Sequence, residues 1–332
     1  MKKITLFFFV VSFFFRVTGQ IGGTHTFEFL NLNTSPRIIA LGGYLTSVID
    51  DDVNNGVYNP SLINKSMLNN FALNYTNYYT DIAYGDAVYC FNLGNQSFLS
   101  SIKFVDYGQF IETNELGNEI GTFSAGEYVM SVGTSRIIDS LFRVGVNTKF
   151  AYSSLYELSS VGLLLDFGVT YLHPHRDLTA SIVVNNLGYQ IIPYYEGERE
   201  SLPLEILIGV SNRLAHMPLR WHLTFQHLET PDLGFENTNN TILYQNYDNF
   251  GYDILKHLVL GAEFLIHKNA SVFIGYNNRR RYEMIIQDRK GVVGFSAGVS
   301  FKINRFHFNY ARTSNHLSGA FNTFGIITNF KK

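Results

Sequence analysis

Four short clusters of polar residues have residue types and spacings that are found in catalytic or ligand-binding sites. A serine three residues before a lysine matches the acylating pair of penicillin-binding proteins and β-lactamases. Neighbouring histidines are potential metal ligands, and acidic residues at alternate positions resemble the start of a calcium loop. Consecutive arginines could bind the phosphates of lipopolysaccharide. In that order, the clusters are Ser100 with Lys103, His173 with His175, Asp50-x-Asp52-x-Asn54, and Arg279-Arg280-Arg281.

The serine–lysine pair does not fit the element that carries it. The pair must lie on adjoining turns of a helix, but residues 97–106 alternate like a strand, which points Ser100 and Lys103 to opposite faces. The accompanying Lys-Thr-Gly and Ser-Asp-Asn motifs do not occur in the chain. We interpret this match as chance.

The other clusters are explained by ordinary turns. The acidic run lacks a glycine directly after Asn54, and Ser61 stands where a calcium loop needs its bidentate glutamate. His173 and His175 flank a proline in a predicted turn and lack carboxylate partners. Arginines at a loop are common on surfaces, and no zincin, P-loop or dinucleotide motif occurs. The sequence therefore predicts no enzyme activity, no cofactor and no metal.

The composition favours an apolar β-protein. The 332 residues are 46% hydrophobic and only 16% charged, against about 25% charged in ordinary soluble domains. Aromatic residues reach 15%, which favours strands. A net charge of −2 gives no reason to expect nucleic acid as a partner.

The first 19 residues have the features of a signal peptide. Met1-Lys2-Lys3 is a positive start, residues 4–15 are apolar, and Val17-Thr18-Gly19 suits cleavage before Gln20. About a dozen apolar residues are too few for a membrane-spanning helix, which needs about 20. The lone Cys90 excludes an internal disulfide and a lipid-modified cysteine after the signal. We expect an exported protein, either a soluble periplasmic β-sandwich or an outer-membrane barrel.

The segment at 141–153 shows the pattern that most of the chain repeats. Apolar residues recur at every second position and polar residues fall between them, as in a strand with one apolar face. In a barrel the apolar set would face lipid and the polar set the interior. The lipid-facing set is Phe142, Val144, Val146, Phe150 and Tyr152, and the interior set is Arg143, Asn147 and Lys149.

Fourteen segments of strand length follow residue 69, which predicts a 14-stranded antiparallel transmembrane β-barrel over residues 70–330. The predicted strands are 70–79, 82–92, 97–106, 125–136, 141–153, 158–172, 177–186, 203–214, 219–229, 256–267, 270–279, 290–302, 305–313 and 318–330.

The predicted connections differ in length according to whether they follow an odd-numbered or an even-numbered strand. Those after the even-numbered strands are short, whereas those after the third, seventh, ninth and eleventh are long and include residues 107–124, 187–202 and 230–255. Antiparallel strands place odd and even connections at opposite rims. Short periplasmic turns and long outer loops are typical of outer-membrane barrels.

Residues 20–69 do not alternate and predict a short helical plug. Ser35 is a suitable N-cap and Pro36 a suitable first helical residue. Apolar residues at 38, 39, 41, 45 and 48 predict a helix that ends at the three aspartates of residues 50–52. Gly42 and Gly43 weaken that helix but permit close approach of another backbone. Residues 54–56 and the pair Asn59-Pro60 predict turns.

These features together resemble the FadL family of outer-membrane barrels and, within it, the PorQ family of the type IX secretion system of Bacteroidetes. The resemblance is densest over residues 22–90. It rests on Gly22-Gly23-Thr24-His25-Thr26-Phe27-Glu28-Phe29-Leu30-Asn31-Leu32, Ser35-Pro36-Arg37, Ala40-Leu41-Gly42-Gly43, Asp50-Asp51-Asp52-Val53-Asn54-Asn55-Gly56 and Tyr58-Asn59-Pro60.

The resemblance implies a barrel in the outer membrane whose N-terminal segment plugs the lumen through Gly42, Gly43, Asp50, Asn59 and Pro60. It implies outer-membrane lipid as surroundings and, as partners, a PorZ-like surface protein with PorU-like and PorV-like members of the cargo-attachment complex. Other members of the wider family transport hydrophobic compounds past the plug. A structural docking protein and a hydrophobic-compound transporter are therefore the two functions to separate.

Overall fold

The computed structural model describes residues 25–231, 233, 254–284, 291–316 and 319–331, and the predicted signal peptide at 1–19 lies outside them. The described residues contain fourteen strands. They are β1 (Asn70–Asn77), β2 (Ala83–Leu93), β3 (Gln96–Thr113), β4 (Glu119–Ile137), β5 (Phe142–Leu155), β6 (Leu158–Leu172), β7 (Leu178–Ile192), β8 (Glu205–Arg213), β9 (Leu219–Phe225), β10 (Leu258–His267), β11 (Ala270–Asn277), β12 (Phe295–Ile303), β13 (Phe306–His316) and β14 (Gly319–Asn329).

The strands form a closed antiparallel barrel, which confirms the predicted fold class. Each strand pairs with its neighbours in the sequence. β1 and β14 close the sheet over the full length of β1, from the pair Asn70 and Asn329 to the pair Asn77 and Asn322. Closure leaves no free sheet edge around the wall, as a barrel in lipid requires.

The side chains alternate in the sense predicted for a lipid-embedded wall. On β5, Phe142, Phe150 and Tyr152 are exposed on the outside, whereas Asn147 and Ser153 are buried inside. The outer surface carries large exposed apolar residues on every strand from β1 to β8. Among the described residues, no helix is long and apolar enough to cross a membrane.

The two rims differ as the sequence indicates, with one exception. The even connections, at residues 94–95, 138–141, 173–177, 214–218, 268–269 and 304–305, are short, and we call this end the short-turn rim. At the opposite rim, residues 193–204 and the segment between β11 and β12 are long. The second of these contains helix α3 (Asn278–Met284). Most of the predicted loop at 230–255 lies outside the described residues.

The prediction of a long loop at 107–124 is wrong. β3 and β4 continue through most of it and meet in a tight turn between Thr113 and Glu119. The rings of Phe110 and Phe123 stack across the pair at 5.2 Å, and a bulge after Asp106 includes Gly108 at φ +81°. Glycine and asparagine, which suggest a loop, here form the bulge and the turn.

The N-terminal segment lies inside the barrel. It contains helices α1 (Pro36–Ala40) and α2 (Asn54–Tyr58) and short 3-10 helices at Glu28–Asn31, Pro60–Leu62 and Lys65–Met67. The predicted single helix from Ser35 to the aspartates is wrong, because α1 has five residues. Gly42 and Gly43 have φ of +95° and +97°, and the Gly43 N–H donates to the Ile38 carbonyl in a helix-ending bond of 2.9 Å.

The plug packs its apolar side chains against the lumen wall in three clusters. The first joins Ile38, Leu41 and Leu45 to Phe273 and Phe321 of the wall. The second surrounds α2 and includes Cys90 and Leu99 of β2 and β3. The third joins Phe27, Phe29 and Leu30 to the wall from β2 to β6. We call residues 25–69 the plug from here on.

Candidate functional site: the plugged lumen

The plug touches the wall most closely where the wall has glycine. A Cβ on Gly275 of β11 would lie 2.1 Å from the Gly42 nitrogen, and one on Gly145 of β5 would lie 2.2 Å from the Pro60 carbonyl carbon. Real Cβ atoms do not approach that closely, so any other residue would push the plug away from the wall. Gly42 and Pro60 of the predicted plug motif thus lie in direct backbone contact with two strands.

A buried ion cluster joins the plug to β9 and β10. Arg37 of α1 donates from Nη2 to both carboxylate oxygens of Glu263 on β10, each at 3.0 Å. Its Nη1 lies 2.8 Å from Asp50 Oδ2 and 3.4 Å from Asp52 Oδ2. Arg220 of β9 adds a second contact to Glu263 at 3.2 Å. Removal of one member would leave the remaining charges buried without a full set of partners, which is strongly destabilising.

The burial of this cluster changes the ionisation of its plug residues. Burial alone would lower the pKa of Arg37, but Asp50, Glu263 and Asp52 together raise it above its ordinary value. Burial raises the pKa of Asp52 to about 6, with help from Asp50, although Arg37 opposes the shift. The cluster thus combines a permanently charged arginine with an aspartate that takes up a proton in mildly acidic conditions.

Asp50 also organises the plug itself. Its Oδ1 accepts from the Asp52 N–H at 3.1 Å and from the Asn55 amide at 3.0 Å. Its backbone carbonyl accepts from the Asn64 amide at 2.8 Å. Asp50 therefore fixes the turn before α2 and ties it to the end of the plug.

Asn59 connects two parts of the plug and the wall. Its amide nitrogen donates to the Thr46 carbonyl at 2.6 Å, and its Oδ1 accepts from the Ser61 N–H at 3.0 Å. The Ser61 and Thr170 hydroxyls lie 2.6 Å apart, which joins this turn to β6. Gly43, the remaining residue of the predicted motif, accepts from the Asn33 amide at 2.6 Å within the plug.

The three interior residues predicted on β5 all lie on the inner face. Arg143 donates to the Ile63 carbonyl of the plug at 2.6 Å. Asn147 is fully buried and donates to Asp166 of β6 at 3.2 Å. Lys149 Nζ lies 2.8 Å from Asp166 and donates to Asn186 of β7 at 2.9 Å. Arg143 thus holds the plug directly, whereas Asn147 and Lys149 order the wall beside it.

Further wall residues hold the plug, a role that the sequence analysis did not assign to them. Lys103 of β3 donates to the plug carbonyls of Leu30 and Leu32 at 3.1 and 2.8 Å. Asp86 of β2 accepts from the Thr34 hydroxyl at 2.7 Å. A charged residue at an inward position of a strand was the available signal, but the sequence does not show which plug group it meets.

Two cavities remain beside the plug. A cavity of about 40 Å³ lies between Lys103, Lys149 and the plug and has room for a few water molecules. A larger cavity of about 840 Å³ reaches the short-turn rim and is lined by charged residues of both signs, including Arg220, Glu263 and Lys302. The lumen is therefore wider beside β8 to β14, whereas the plug fills it beside β3 to β7 with apolar as well as polar contacts.

The structure places the serine–lysine pair and the two histidines at separate positions. Lys103 faces the lumen and Ser100 lies on the opposite face of β3, so they do not form a pair. His173 and His175 lie in the turn after β6, where the His175 N–H donates to His173 Nδ1 at 3.1 Å. No cluster of three or more potential metal ligands occurs in the part of the chain that the structure describes.

Comparison with known proteins shows likeness in fold. No protein-family model matches the sequence, and a search of curated proteins found no match. The crystal structure of the P. putida toluene transporter TodX is 11% identical, with a TM-score of 0.54 over 90% of this chain and 99% of that chain. The TodX deltaS2S3 mutant monoaromatic hydrocarbon channel is 10% identical, with a TM-score of 0.53 over 90% and 100%.

A Pseudomonas aeruginosa FadL homologue is also similar, at 10% identity and a TM-score of 0.46 over 90% of this chain and 98% of that chain. The likeness to TodX supports the barrel fold that the sequence predicts. At this level of identity it extends to the fold and to nothing finer.

Proposed function

We propose that this chain is a non-enzymatic outer-membrane component of the type IX secretion system, resembling PorQ, that holds a PorZ-like surface protein in the cargo-attachment complex. PorU-like and PorV-like proteins would be its neighbours in that complex. The observation that carries this proposal is the fixed plug. Because a hydrogen-bonded plug occupies the lumen, it favours a rigid scaffold that functions through its rim.

The plug is bonded to strands all around the wall. Hydrogen bonds reach it from β2, β3, β5, β6, β7, β8, β10, β11 and β12. Each buried partner left unsatisfied costs about 1–3 kcal/mol, and buried charges cost more. Because these bonds lie on opposite sides of the plug, a path through the lumen would require many of them to break together.

The rims provide the second support. In a barrel of this type the short turns face the periplasm and the long connections face the outside. The protein would therefore present the β3–β4 extension, the 193–204 loop and α3 to the cell exterior. These segments offer a large surface for a partner, and the rigid lumen would hold them in a constant position.

A hydrophobic-compound transporter is the second candidate. The fold likeness favours it over the secretion function, because the similar structures named above include a toluene transporter and a monoaromatic hydrocarbon channel. The apolar cluster of Phe27, Phe29 and Leu30 inside the wall is compatible with an apolar guest. Passage would nevertheless require the plug to leave its bonded position.

Purification and uptake measured on the same cells separate the two functions. The unmodified chain is extracted in mild detergent and its co-purified proteins are identified, while a knockout strain is tested for uptake of toluene and a long-chain fatty acid. Docking predicts recovery of the PorZ-like surface protein and unchanged uptake in the knockout. Lost uptake in the knockout, together with no recovered surface protein, would contradict docking and support transport.

A further inference from the structure

The β3–β4 extension forms a two-stranded ribbon that continues beyond the barrel wall. Pairing of β3 with β2 ends at Asp106, and pairing of β4 with β5 begins at Ala125. Residues 107–124 between those points pair only with each other, and we call them the outer ribbon. At about 3.3 Å per residue, the outer ribbon extends about 20 Å past the neighbouring strands.

Neither backbone edge of the outer ribbon pairs with another described strand, but the two edges differ in their side-chain contacts. On the β4 side, the ring of Tyr156 packs on Phe123 at 4.8 Å, and its hydroxyl donates to Glu112 at 2.8 Å. On the β3 side, no described residue beyond β4 hydrogen-bonds to the backbone of residues 109–113. The β3 edge therefore presents unpaired N–H and C=O groups, which can accept another strand.

The outer ribbon also exposes apolar side chains, of which Ile111 lies on β3 itself. Ile111 and Ile120 are 59% and 60% exposed, and Leu116 at the turn is 85% exposed. A strand added to β3 would bring its own side chains next to Ile111. Burial of these side chains would contribute a hydrophobic term to the backbone pairing.

The charge of the outer ribbon indicates the chemistry of its partner. It contains Glu112, Glu115 and Glu119, and no lysine or arginine occurs between Lys103 and Arg136. Glu157 lies in the adjacent β5–β6 turn. An acidic surface repels the phosphate groups of membrane lipids and attracts a basic protein segment.

We propose that the outer ribbon accepts an extended segment of a surface protein, bearing lysine or arginine together with apolar side chains, on the open edge of β3. This inference rests on the proposed docking function and assigns its contact surface. Backbone pairing would supply the register, Ile111 an apolar contact, and the glutamates a salt-sensitive attraction.

Site-specific photo-crosslinking in the full-length protein tests this assignment. A photoreactive phenylalanine replaces Ile111, and the control carries it at Tyr195, which is 57% exposed on the loop after β7. We expect position 111 to crosslink to one surface protein, through a peptide containing lysine or arginine. Crosslinks from position 111 only to lipid or to a second copy of this chain would overturn the proposal.

Charge neutralisation provides the matched quantitative test. Glu115→Gln with Glu119→Gln is compared with Glu196→Gln with Glu198→Gln, which makes the same charge change in the 193–204 loop. We expect about fivefold lower recovery of the surface protein for the ribbon variant at low salt and unchanged recovery for the control. Equal recovery in both would refute the ribbon while leaving docking intact, whereas failure of the unmodified chain to recover a surface protein would refute docking itself.

Discussion

The plug and the outer ribbon differ in how many of their polar groups are hydrogen-bonded within the molecule. In the plug, carbonyls such as that of Leu32 and side chains such as Arg37 and Asn59 are bonded to the wall or to each other. In the outer ribbon, neither backbone edge pairs with another described strand, and three apolar side chains are 59–85% exposed. The polar groups of the plug are thus used inside the molecule, whereas the edges of the outer ribbon are open to the partner proposed above.

The largest expected effect comes from the ion cluster of the plug. Glu263→Ala leaves Arg37 and Arg220 without their shared carboxylate, and we expect a loss of about 3–5 kcal/mol in the free energy of unfolding. Urea unfolding in detergent, followed by fluorescence of the single Trp221, measures it. Glu157→Ala, in the exposed β5–β6 turn, is the control. Equal effects of the two changes would show that the plug is not held by its charges.

The next effect concerns the two faces of β5. Val146→Lys places a charge on the outer face, which costs about 2–4 kcal/mol near the middle of a bilayer. Thr148→Lys, also outward but two residues further along, reports how this cost depends on depth. Assembly is measured by heat-modifiable migration in gels. Normal assembly of Val146→Lys would contradict a lipid-facing wall.

The structure changes the comparison between Val146 and Asn147. The strand pattern alone suggests that an interior position tolerates charge, but Asn147 is fully buried and bonded to Asp166 at 3.2 Å. We therefore expect Asn147→Asp to impair folding as well, because two carboxylates would face each other. Efficient assembly of Asn147→Asp, measured by the same gel migration, would contradict close packing at this position.

A smaller effect is the pH dependence from Asp52. Because its folded-state pKa is raised to about 6, folding favours its protonated form. This contribution to stability is present below pH 4 and is lost as pH rises toward 6. Asp52→Asn should remove about 1–3 kcal/mol of that pH-dependent change in the free energy of unfolding. An unchanged pH profile between 4 and 6 would show that Asp52 does not bind the proton.

The smallest effect on stability should come from the outer ribbon. Leu116→Ser is 85% exposed at the turn and should change the free energy of unfolding by less than about 0.5 kcal/mol. The same urea measurement applies. A large loss would mean that Leu116 packs within the molecule and is not available to a partner.

The fold was predictable because its signal repeats along the chain. Alternation at every second residue identified all fourteen strands. The same alternation along β5 predicted that Arg143, Asn147 and Lys149 lie on the inner face. Their plug contacts were not predictable, since they join residues far apart in the sequence. Arg37 and Glu263, for example, are separated by 226 positions.

The turn predicted at residues 54–56 is also wrong, because these residues begin α2. The errors at residues 38–48 and 107–124 have clear physical causes. The apolar spacing from Ile38 to Val48 predicts one helix, but Gly42 and Gly43 adopt left-handed conformations that end it and bring the chain against β11. The glycines and asparagines of residues 107–124 suggest a loop, but stacked phenylalanines stabilise a paired ribbon. In both cases local propensity was overridden by packing between strands or against the wall.

A reducible disulfide between the plug and the wall tests whether the plug stays in place while the protein functions. The Ser61 and Thr170 hydroxyls are 2.6 Å apart, so Ser61→Cys with Thr170→Cys, in a Cys90→Ala background, should form a disulfide across the plug–wall interface. Ser101→Cys with Ser131→Cys, whose hydroxyls are also 2.6 Å apart, makes a control bond within the wall.

We expect the oxidised plug–wall variant to recover as much surface protein as the wall–wall control. We expect reductant to change neither recovery. Recovery or toluene uptake that is lost on oxidation of the plug–wall pair alone, and restored by reductant, would contradict a plug that remains in place.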